Sequence, residues 1–414
     1  MGTSVLNNDN RDEIGIISFI IVLVAMAFVF TDCSTKTVGT DDVFTIDLSK
    51  KYSQKIIHLQ SIAEIEYVPL ETTDDVLLDE SFMFSSLSDN FIVGWQSKTR
   101  EVFVFSRNGR IISNFNKIGR SSSEYLYIND IVFDEKNEEI FIVDDRMNRI
   151  QVYSLQGEYR RTLSYSNDFS NLRPYNFNDE SLLIYDDDER SSMTKLFIST
   201  GGSTSLQFAD RKKPYMLMSK KDGTIISELN IIIPERYALS FVGEGRMSLF
   251  RCPNNRYHGQ DFVIADMSSD TIFKLSRNKE LRPFFVRKPS VHSSVPLVVW
   301  SSFFITDKFA VFSRAAKNES SRDLITAFSC DTLMFVLSTG EINKVSFVND
   351  DFPSDKWTPT IGVQLPTINF VAGLLQMSEL FKAYEKKQLK GDLEQLVASL
   401  REDDNQIVMI VKFK

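Results

Sequence analysis

Short alternations of apolar and polar residues begin at Val43 and recur to the end of the chain. Because successive side chains of a strand face opposite sides of its sheet, this period of two predicts half-buried β-strands. Many of these strands belong to one repeated phrase, an apolar strand followed by a tight polar turn and a second strand. Its two clearest copies contain Gly109 and Gly157, which lie 48 residues apart, the spacing of one β-propeller blade.

The phrase occurs five times, and each copy has an apolar segment upstream that can pair with it. Glycine at the turn suits the positive φ angle that a tight hairpin requires. The turn residues are Gly109, Gly157, Gly223, Lys279 and Gly340, and the upstream partners are residues 90–93, 139–143, 181–185, 246–250 and 308–312.

The two ends of the chain predict a sixth blade. Residues 44–48 and 64–70 lie at its start and residues 407–413 near its end. A blade shared by both ends closes the ring and removes exposed sheet edges. The sequence therefore predicts an all-β fold, a six-bladed β-propeller over residues 43–414. Separate β-sandwiches are the alternative, and they explain the regular recurrence less well.

The apolar spacing changes to three or four residues between about 371 and 402. This period predicts two short amphipathic helices, with Gly391 as the break between them. They form a helical insertion before a closing strand at 406–413. We expect the helices to cover their own domain, with partner docking as the alternative.

Residues 1–33 are predicted to be a signal or anchor segment, followed by a linker at 34–42. Residues 14–30 are an uncharged apolar run that ends shortly before Cys33. Such a run before a single cysteine resembles a bacterial lipoprotein signal, in which the cysteine is lipidated. Asp32 departs from that pattern, and an uncleaved helical anchor or cleaved export are the alternatives. All three place the body of the chain outside the cytoplasm or facing away from it.

The composition of the chain narrows the classes of partner that it can bind. The formal net charge is -9 and no basic stripe is present, which argues against nucleic acid, since that binding depends on Lys and Arg. The 33 Phe and 13 Tyr suit a strand-rich chain. Three cysteines are too few for a disulfide framework, and whether Cys252 and Cys330 pair stays open.

The stretch from 144 to 157 resembles an NHL-type propeller repeat, and the chain from about residue 43 resembles the six-bladed β-propeller lipoproteins of Bacteroidota. The segments that carry the resemblance are residues 62–72, 115–131, 270–286 and 400–414. Ser121–Ser123 and Gln406 depart from that family's pattern. The resemblance implies an envelope lipoprotein of a kind often associated with outer-membrane glycan uptake and sensing systems. We expect an outer-membrane lipoprotein, on the periplasmic or the cell-surface side.

Few residues indicate chemistry. His58, His258 and His292 have no metal-binding spacing, and no nucleophile motif is present. Carboxylates at strand ends could hold Ca²⁺ in the central channel, although successive acids at one turn are more often solvated loop charge. The acidic clusters are Asp144–Asp145, residues 186–189 and Asp350–Asp351.

Arg120, Glu124 and Tyr125 form the candidate ligand-face loop, with filling of their own loop as the alternative. The sequence predicts an envelope-anchored, non-catalytic binding propeller that recognises a glycan, a peptide or a partner envelope protein. No cofactor is predicted. The alternative function is a metal-dependent propeller hydrolase or lyase with its site in the central channel.

Overall fold

The computed structural model describes residues 43–169, 171–187, 211–236, 239–243, 246–250, 255–258, 260–317, 328–352 and 370–414. Nearly all of the regular structure in these residues is β-strand. The strands are β1 (Phe44–Asp47), β2 (Gln54–His58), β3 (Ala63–Pro69), β4 (Phe82–Leu87), β5 (Phe91–Gln96), β6 (Val102–Ser106), β7 (Ile111–Phe115), β8 (Asp130–Asp134), β9 (Glu139–Asp144), β10 (Arg149–Ser154), β11 (Tyr159–Ser164), β12 (Leu172–Asn176), β13 (Ser181–Asp186), β14 (Tyr215–Ser219), β15 (Ile225–Glu228), β16 (Leu239–Gly243), β17 (Arg246–Phe250), β18 (Arg256–His258), β19 (Asp261–Ile264), β20 (Thr271–Leu275), β21 (Leu281–Lys288), β22 (Val298–Ile305), β23 (Phe309–Lys317), β24 (Phe328–Val336), β25 (Ile342–Val348), β26 (Phe370–Leu375) and β27 (Ile407–Phe413). The helices in the described residues are α1 (Leu59–Ile62), α2 (Met377–Glu385) and α3 (Gly391–Ala398), and a 3₁₀ turn lies at Val291–Ser293.

The strands form six blades, as the sequence predicts. Blades 1 to 5 are the antiparallel sheets β4–β7, β8–β11, β12–β15, β18–β21 and β22–β25, and blade 6 is β26, β27 and β3. The first strands of blades 1, 2 and 3 adjoin one another and border the axis. In each four-stranded blade, the loop from the preceding blade and the turn between its second and third strands lie at the same end, which we call the loop end.

The ends of the chain close the ring through blade 6. Strand β27 pairs antiparallel with β3, from Ile407↔Pro69 to Phe413↔Ala63. Asn405, which is 2% exposed, reinforces this closure just before β27. Its side chain accepts from the backbone N–H of Leu78 at 2.7 Å and donates to the carbonyls of Glu71 and Val76 at 2.7 and 2.9 Å. The C-terminal strand is therefore tied to the connection that leads into blade 1.

Two strand assignments made from the sequence are wrong. Residues 44–48 do not join the sixth blade, because β1 pairs in parallel with β21 of blade 4, while β2 pairs in parallel with β25 of blade 5. Ile46 and Leu48 are fully buried between blades 4 and 5, and burial of these two apolar side chains places β1 against blade 4. Residues 246–250 do not pair with the phrase of blade 4 either. Strand β17 forms a hairpin with β16, and the partner of β20 is β19.

The C-terminal helices lie on their own domain. Leu380 of α2 and Leu393 and Val397 of α3 are fully buried in a cluster that also holds Ile407 and Met409 of β27. The helical segment begins later than predicted, since residues 370–375 form β26 and pair with β27. The apolar residues of this run fit both the strand period and the helix period, and pairing with β27 makes residues 370–375 a strand.

The five repeated turns have the predicted backbone conformation. The φ angles are +86° at Gly109, +76° at Gly157, +82° at Gly223, +68° at Lys279 and +72° at Gly340. Lys279 adopts this conformation despite its side chain, which identifies its phrase as the same structural unit.

Candidate functional site

The loop that joins blades 1 and 2 contains the three residues singled out in the sequence. Arg120 is exposed, while Tyr125 is fully buried. The Tyr125 hydroxyl donates to the carbonyl of Arg100 at 2.8 Å and accepts from the backbone N–H of Lys117 at 3.1 Å. Burial raises the pKa of Tyr125 to about 12. Tyr125 therefore fills its own loop, the alternative that the sequence left open.

Glu124 also serves the loop. Its carboxylate accepts from the backbone N–H of Ser121 at 2.8 Å, and this hydrogen bond holds its pKa below the usual range. Two side chains of strand β10 also hold the loop, because Arg149 Nη2 and Gln151 Nε2 donate to the carbonyl of Glu124 at 2.6 and 2.7 Å. Of the three residues, only Arg120 presents its side chain fully to solvent, and its ligand role stays a prediction.

A charged group lies beyond this loop, where the first strands of blades 2 and 3 begin. We call it the channel-mouth cluster, and it consists of Asp130, Asn171, Arg173, Tyr175 and Asp187. Arg173 donates through Nε and Nη2 to Asp187 Oδ2 at 3.3 and 3.2 Å. Asn171 donates to the same oxygen at 3.2 Å. Asp187 is 4% exposed, so this pair fixes the guanidinium of Arg173 beside Asp130.

Asp130 is the least satisfied member of the cluster. Its carboxylate accepts one hydrogen bond in the described structure, from the backbone N–H of the adjacent Ile131 at 2.8 Å. Desolvation raises the pKa of Asp130 to about 6, although the nearby charge of Arg173 acts in the opposite direction. Partial removal from water disfavours the charged form of a carboxyl group, so ionised Asp130 destabilises the fold.

An arginine stacked on an aromatic ring lies at the loop end of blade 2, the end at which Asp130 begins β8. The guanidinium of Arg146 lies 4.7 Å from the ring centroid of Tyr127, and that of Arg100 lies 5.3 Å from it. Arg146 is exposed in the turn after β9, and Met147 next to it is 44% exposed. Stacking orders a guanidinium while leaving its N–H donors available.

The acidic clusters noted in the sequence have structural partners. Asp144 accepts from the backbone N–H of Leu126 at 2.9 Å, and Asp145 accepts from the Tyr165 hydroxyl at 2.6 Å. Asp350 lies 2.6 Å from His58 Nδ1, and Asp351 accepts from the Tyr67 hydroxyl at 3.0 Å. Within the described residues, no group of three or more His, Cys, Asp or Glu side chains is arranged to hold a metal ion.

Several predicted residues cannot be placed. Cys33, Cys252 and residues 188–189 lie outside the described residues, as do residues 14–30. Cys330 in β24 is an exposed free thiol. In the part of the chain that the structure covers, no helix has the length and apolar character that crossing a membrane requires.

The sequence alone did not identify the channel-mouth cluster. Asp130 and Arg173 are more than forty positions apart, and only the adjacency of β8 and β12 brings them together. Asp130 is the first residue of β8 and Arg173 the second residue of β12, and each strand follows a polar loop. This position at the start of a strand is the local feature by which the sequence could indicate them.

Comparison with known proteins identifies the family of this chain and structures of similar fold. The family model described as "Domain of unknown function (DUF4934)" matches residues 43–412. A Bacteroides fragilis protein described as exported shares 12% identity at a TM-score of 0.59, over 90% of this chain and all of that one. A member of the DUF4221 family from Bacteroides vulgatus shares 9% identity at a TM-score of 0.44, over 85% of this chain and 97% of that one. No curated protein matches the sequence. The chain belongs to the DUF4934 family of six-bladed β-propellers, whose function is not known.

Proposed function

We propose that this protein is an envelope-anchored binding propeller whose channel-mouth cluster holds a hydroxyl-rich ligand, a glycan. The observation that carries the proposal is Asp130, a partly buried carboxylate with one hydrogen bond from its own neighbour. A carboxyl group whose pKa is raised by desolvation, beside an arginine that is itself held in place, is a candidate for a functional site.

The chemistry around Asp130 suits sugar hydroxyl groups. A carboxylate accepts from two adjacent hydroxyls, and the guanidinium of Arg173 donates to the oxygen atoms of the same ring. Arg173 is held in position by Asp187 at 3.2 Å, so little side-chain entropy is lost when a ligand binds. Tyr127 and Arg146 on the rim provide an aromatic surface and further donors.

The anchor is part of the same proposal. We attribute membrane attachment to lipidation of Cys33, which follows the apolar run at residues 14–30. A lipid anchor would hold the propeller at the envelope, where glycans are encountered.

The pKa of Asp130 favours a second candidate, the propeller hydrolase or lyase of the central channel. A carboxyl group with a pKa of about 6 can exchange a proton near neutral pH, as a general acid or base must. Both candidate functions require Asp130. They differ in that a binding protein releases its ligand chemically unchanged, whereas an enzyme converts it.

A ligand screen with matched variants tests the proposal. The full-length protein is screened against soluble glycans and peptides by thermal shift, since a ligand that binds the folded state raises its melting temperature. Asp130→Asn is compared with Asp89→Asn, an exposed aspartate in the turn between β4 and β5, at the opposite end of the blades. We expect a glycan to stabilise the wild type and Asp89→Asn but not Asp130→Asn.

Three outcomes would count against the proposal. Equal stabilisation of all three proteins would place the ligand elsewhere, and stabilisation by peptides alone would reject a glycan ligand. Chemical conversion of the bound glycan, lost in Asp130→Asn, would establish the enzyme instead.

A further inference from the structure

The outer edges of this propeller accept added strands. Strand β1 lies parallel to β21 on blade 4, from Phe44↔Phe285 to Asp47↔Lys288, and β2 lies parallel to β25 on blade 5. Ile46 and Leu48 extend from β1 and its end into the core between blades 4 and 5, where both are fully buried. The N-terminal segment thus covers the outermost strands of two successive blades.

Three other junctions are closed by the repeated turn itself. At each of them, the turn glycine of one blade lies so close to the outermost strand of the preceding blade that a Cβ atom would collide with it. The contacts are Gly109 with Pro69, Gly157 with Phe115, and Gly223 with Ser164. Gly340 of blade 5 differs, because its nearest atom is 4.0 Å away, in Phe335 of its own blade. Strand β1 lies at that junction instead, and the ring of Phe44 lies 5.0 Å from that of Phe335.

The junction between blades 3 and 4 has neither arrangement in the residues that the structure describes. Its turn residue is the exposed Lys279, which carries a side chain where the other turns have glycine. No described strand pairs with the outer side of β15, whose four residues are all exposed. We call residues 225–233 the blade 3 edge.

The blade 3 edge presents apolar side chains to water. Ile225 is 37% exposed, Ile226 is 44% exposed and Ile232, farther along, is 58% exposed. Proteins usually protect an edge strand with charges, proline or a covering segment, because an open edge pairs with other chains. Strand β15 is short and carries the exposed Glu228, but Ile225 and Ile226 of the same strand are also exposed, and no described strand covers them.

We propose that the blade 3 edge binds an extended segment of a partner protein, which adds as a parallel strand in the way that β1 adds to β21. In such strand addition, main-chain hydrogen bonds supply affinity and alternate side chains supply specificity. Since the exposed side chains here are isoleucines, the partner segment carries apolar residues at alternate positions. This interface is separate from the channel-mouth cluster, so it does not depend on the glycan proposal.

The neighbouring cleft argues for a polypeptide and against a small charged ligand. A cleft of about 770 Å³ between blades 2 and 3 includes Ile226 in its lining. Most of its charges are paired, with Lys220 Nζ 2.7 Å from Asp134 and Arg161 2.6 Å from Glu139. Two other charged residues of the lining, Glu180 and Lys221, have opposite signs. Charges that are paired or balanced offer little attraction to a charged ligand, whereas no described strand covers the apolar side chains beside them.

Selection of peptides tests the proposal without knowledge of the partner. A displayed library of random 12-residue peptides is selected on the full-length protein, and the selected peptides are measured against Ile226→Lys/Ile232→Lys. The control is Ile112→Lys, because Ile112 is 42% exposed on β7, at a junction that Gly157 closes. We expect alternating apolar peptides whose affinity falls at least tenfold in the double variant and is unchanged in the control.

Amide hydrogen exchange distinguishes strand addition from simple side-chain contact. A bound peptide should slow exchange at residues 225–233 at least tenfold, since added main-chain hydrogen bonds protect those amides. The proposal is overturned if no such peptide is selected, if the double variant binds equally well, or if protection appears elsewhere. Dimerisation of the wild type that Ile232→Lys abolishes would make a second copy the occupant and would also overturn it. Melting curves of both variants establish that they are folded.

Discussion

Replacement of Asp130 by asparagine should make the protein more stable at neutral pH, although it removes the residue central to the proposed site. The side chains are nearly the same size, so the main change is loss of a partly buried negative charge. The pKa of this group is about 6 in the folded protein, against an ordinary value of 3.8. A carboxyl group with a raised pKa favours folding fully below its unfolded pKa, and this contribution is lost as the pH rises through about 6.

The difference between the two pKa values sets the upper limit of the effect. Two pKa units correspond to about 3 kcal/mol, and partial exposure to solvent reduces this, so we expect stabilisation of about 1–3 kcal/mol at pH 7.5. At pH 4.2 the wild-type carboxyl is protonated in the folded state, and the gain should fall to roughly a quarter of its value at pH 7.5.

Urea unfolding of the full-length protein at both pH values measures this difference, with Asp89→Asn as the control. A midpoint shift for Asp130→Asn that is equal at the two pH values would refute the electrostatic reasoning. Destabilisation at pH 7.5 would mean that the carboxylate has partners in the fold and is not held in reserve for a ligand.

Three further substitutions test the closure, the blade junctions and the anchor. Asn405→Ala leaves the backbone partners of three hydrogen bonds unsatisfied and should lower the free energy of unfolding by about 2–4 kcal/mol. The control Asn167→Ala, at an exposed position, should change the free energy of unfolding little. Equal effects of the two variants in urea unfolding would contradict the role of Asn405 in closing the ring. Gly157→Ala should cost about 2–4 kcal/mol because it adds a collision with Phe115 to the strain of positive φ. Gly340→Ala, with the same φ but open space, should cost only about 1–2 kcal/mol, and a cost as large as that of Gly157→Ala would reject junction closure by glycine. Cys33→Ala should abolish incorporation of a labelled fatty acid and raise the apparent mass on a gel, whereas unchanged labelling would favour an uncleaved helix.

Local patterns in the sequence were sufficient for the blades and insufficient for their edges. The period of two and the turn residues identify five blades because a blade is a local unit of about 45 residues. The pairing of β27 with β3 follows from the need to close the ring. The placement of β1 on blade 4 does not follow, because no local pattern around Ile46 and Leu48 specifies the blade junction in which they are buried.

The candidate site was harder to predict for the same reason. Tyr125 and Glu124 stand out as a local motif, yet their hydrogen bonds hold the loop itself and fix it to the neighbouring turn and to β10. Asp130 stands in an ordinary strand start, and its importance comes from desolvation and from Arg173 of another blade. Long-range contacts of this kind leave no trace in residue spacing.

The titration of Asp130 in the presence and absence of a ligand tests the central claim most directly. The carboxyl carbon signals of labelled aspartates can be followed by NMR, with Asp130→Asn to assign the signal. We predict a pKa near 6 in the free protein, and a lower value with the glycan that gives the largest thermal shift, since its hydroxyl groups donate to the carboxylate and stabilise its charge. A pKa near 4 in the free protein, or one that the bound glycan leaves unchanged, would contradict the assignment of this cluster as the binding site.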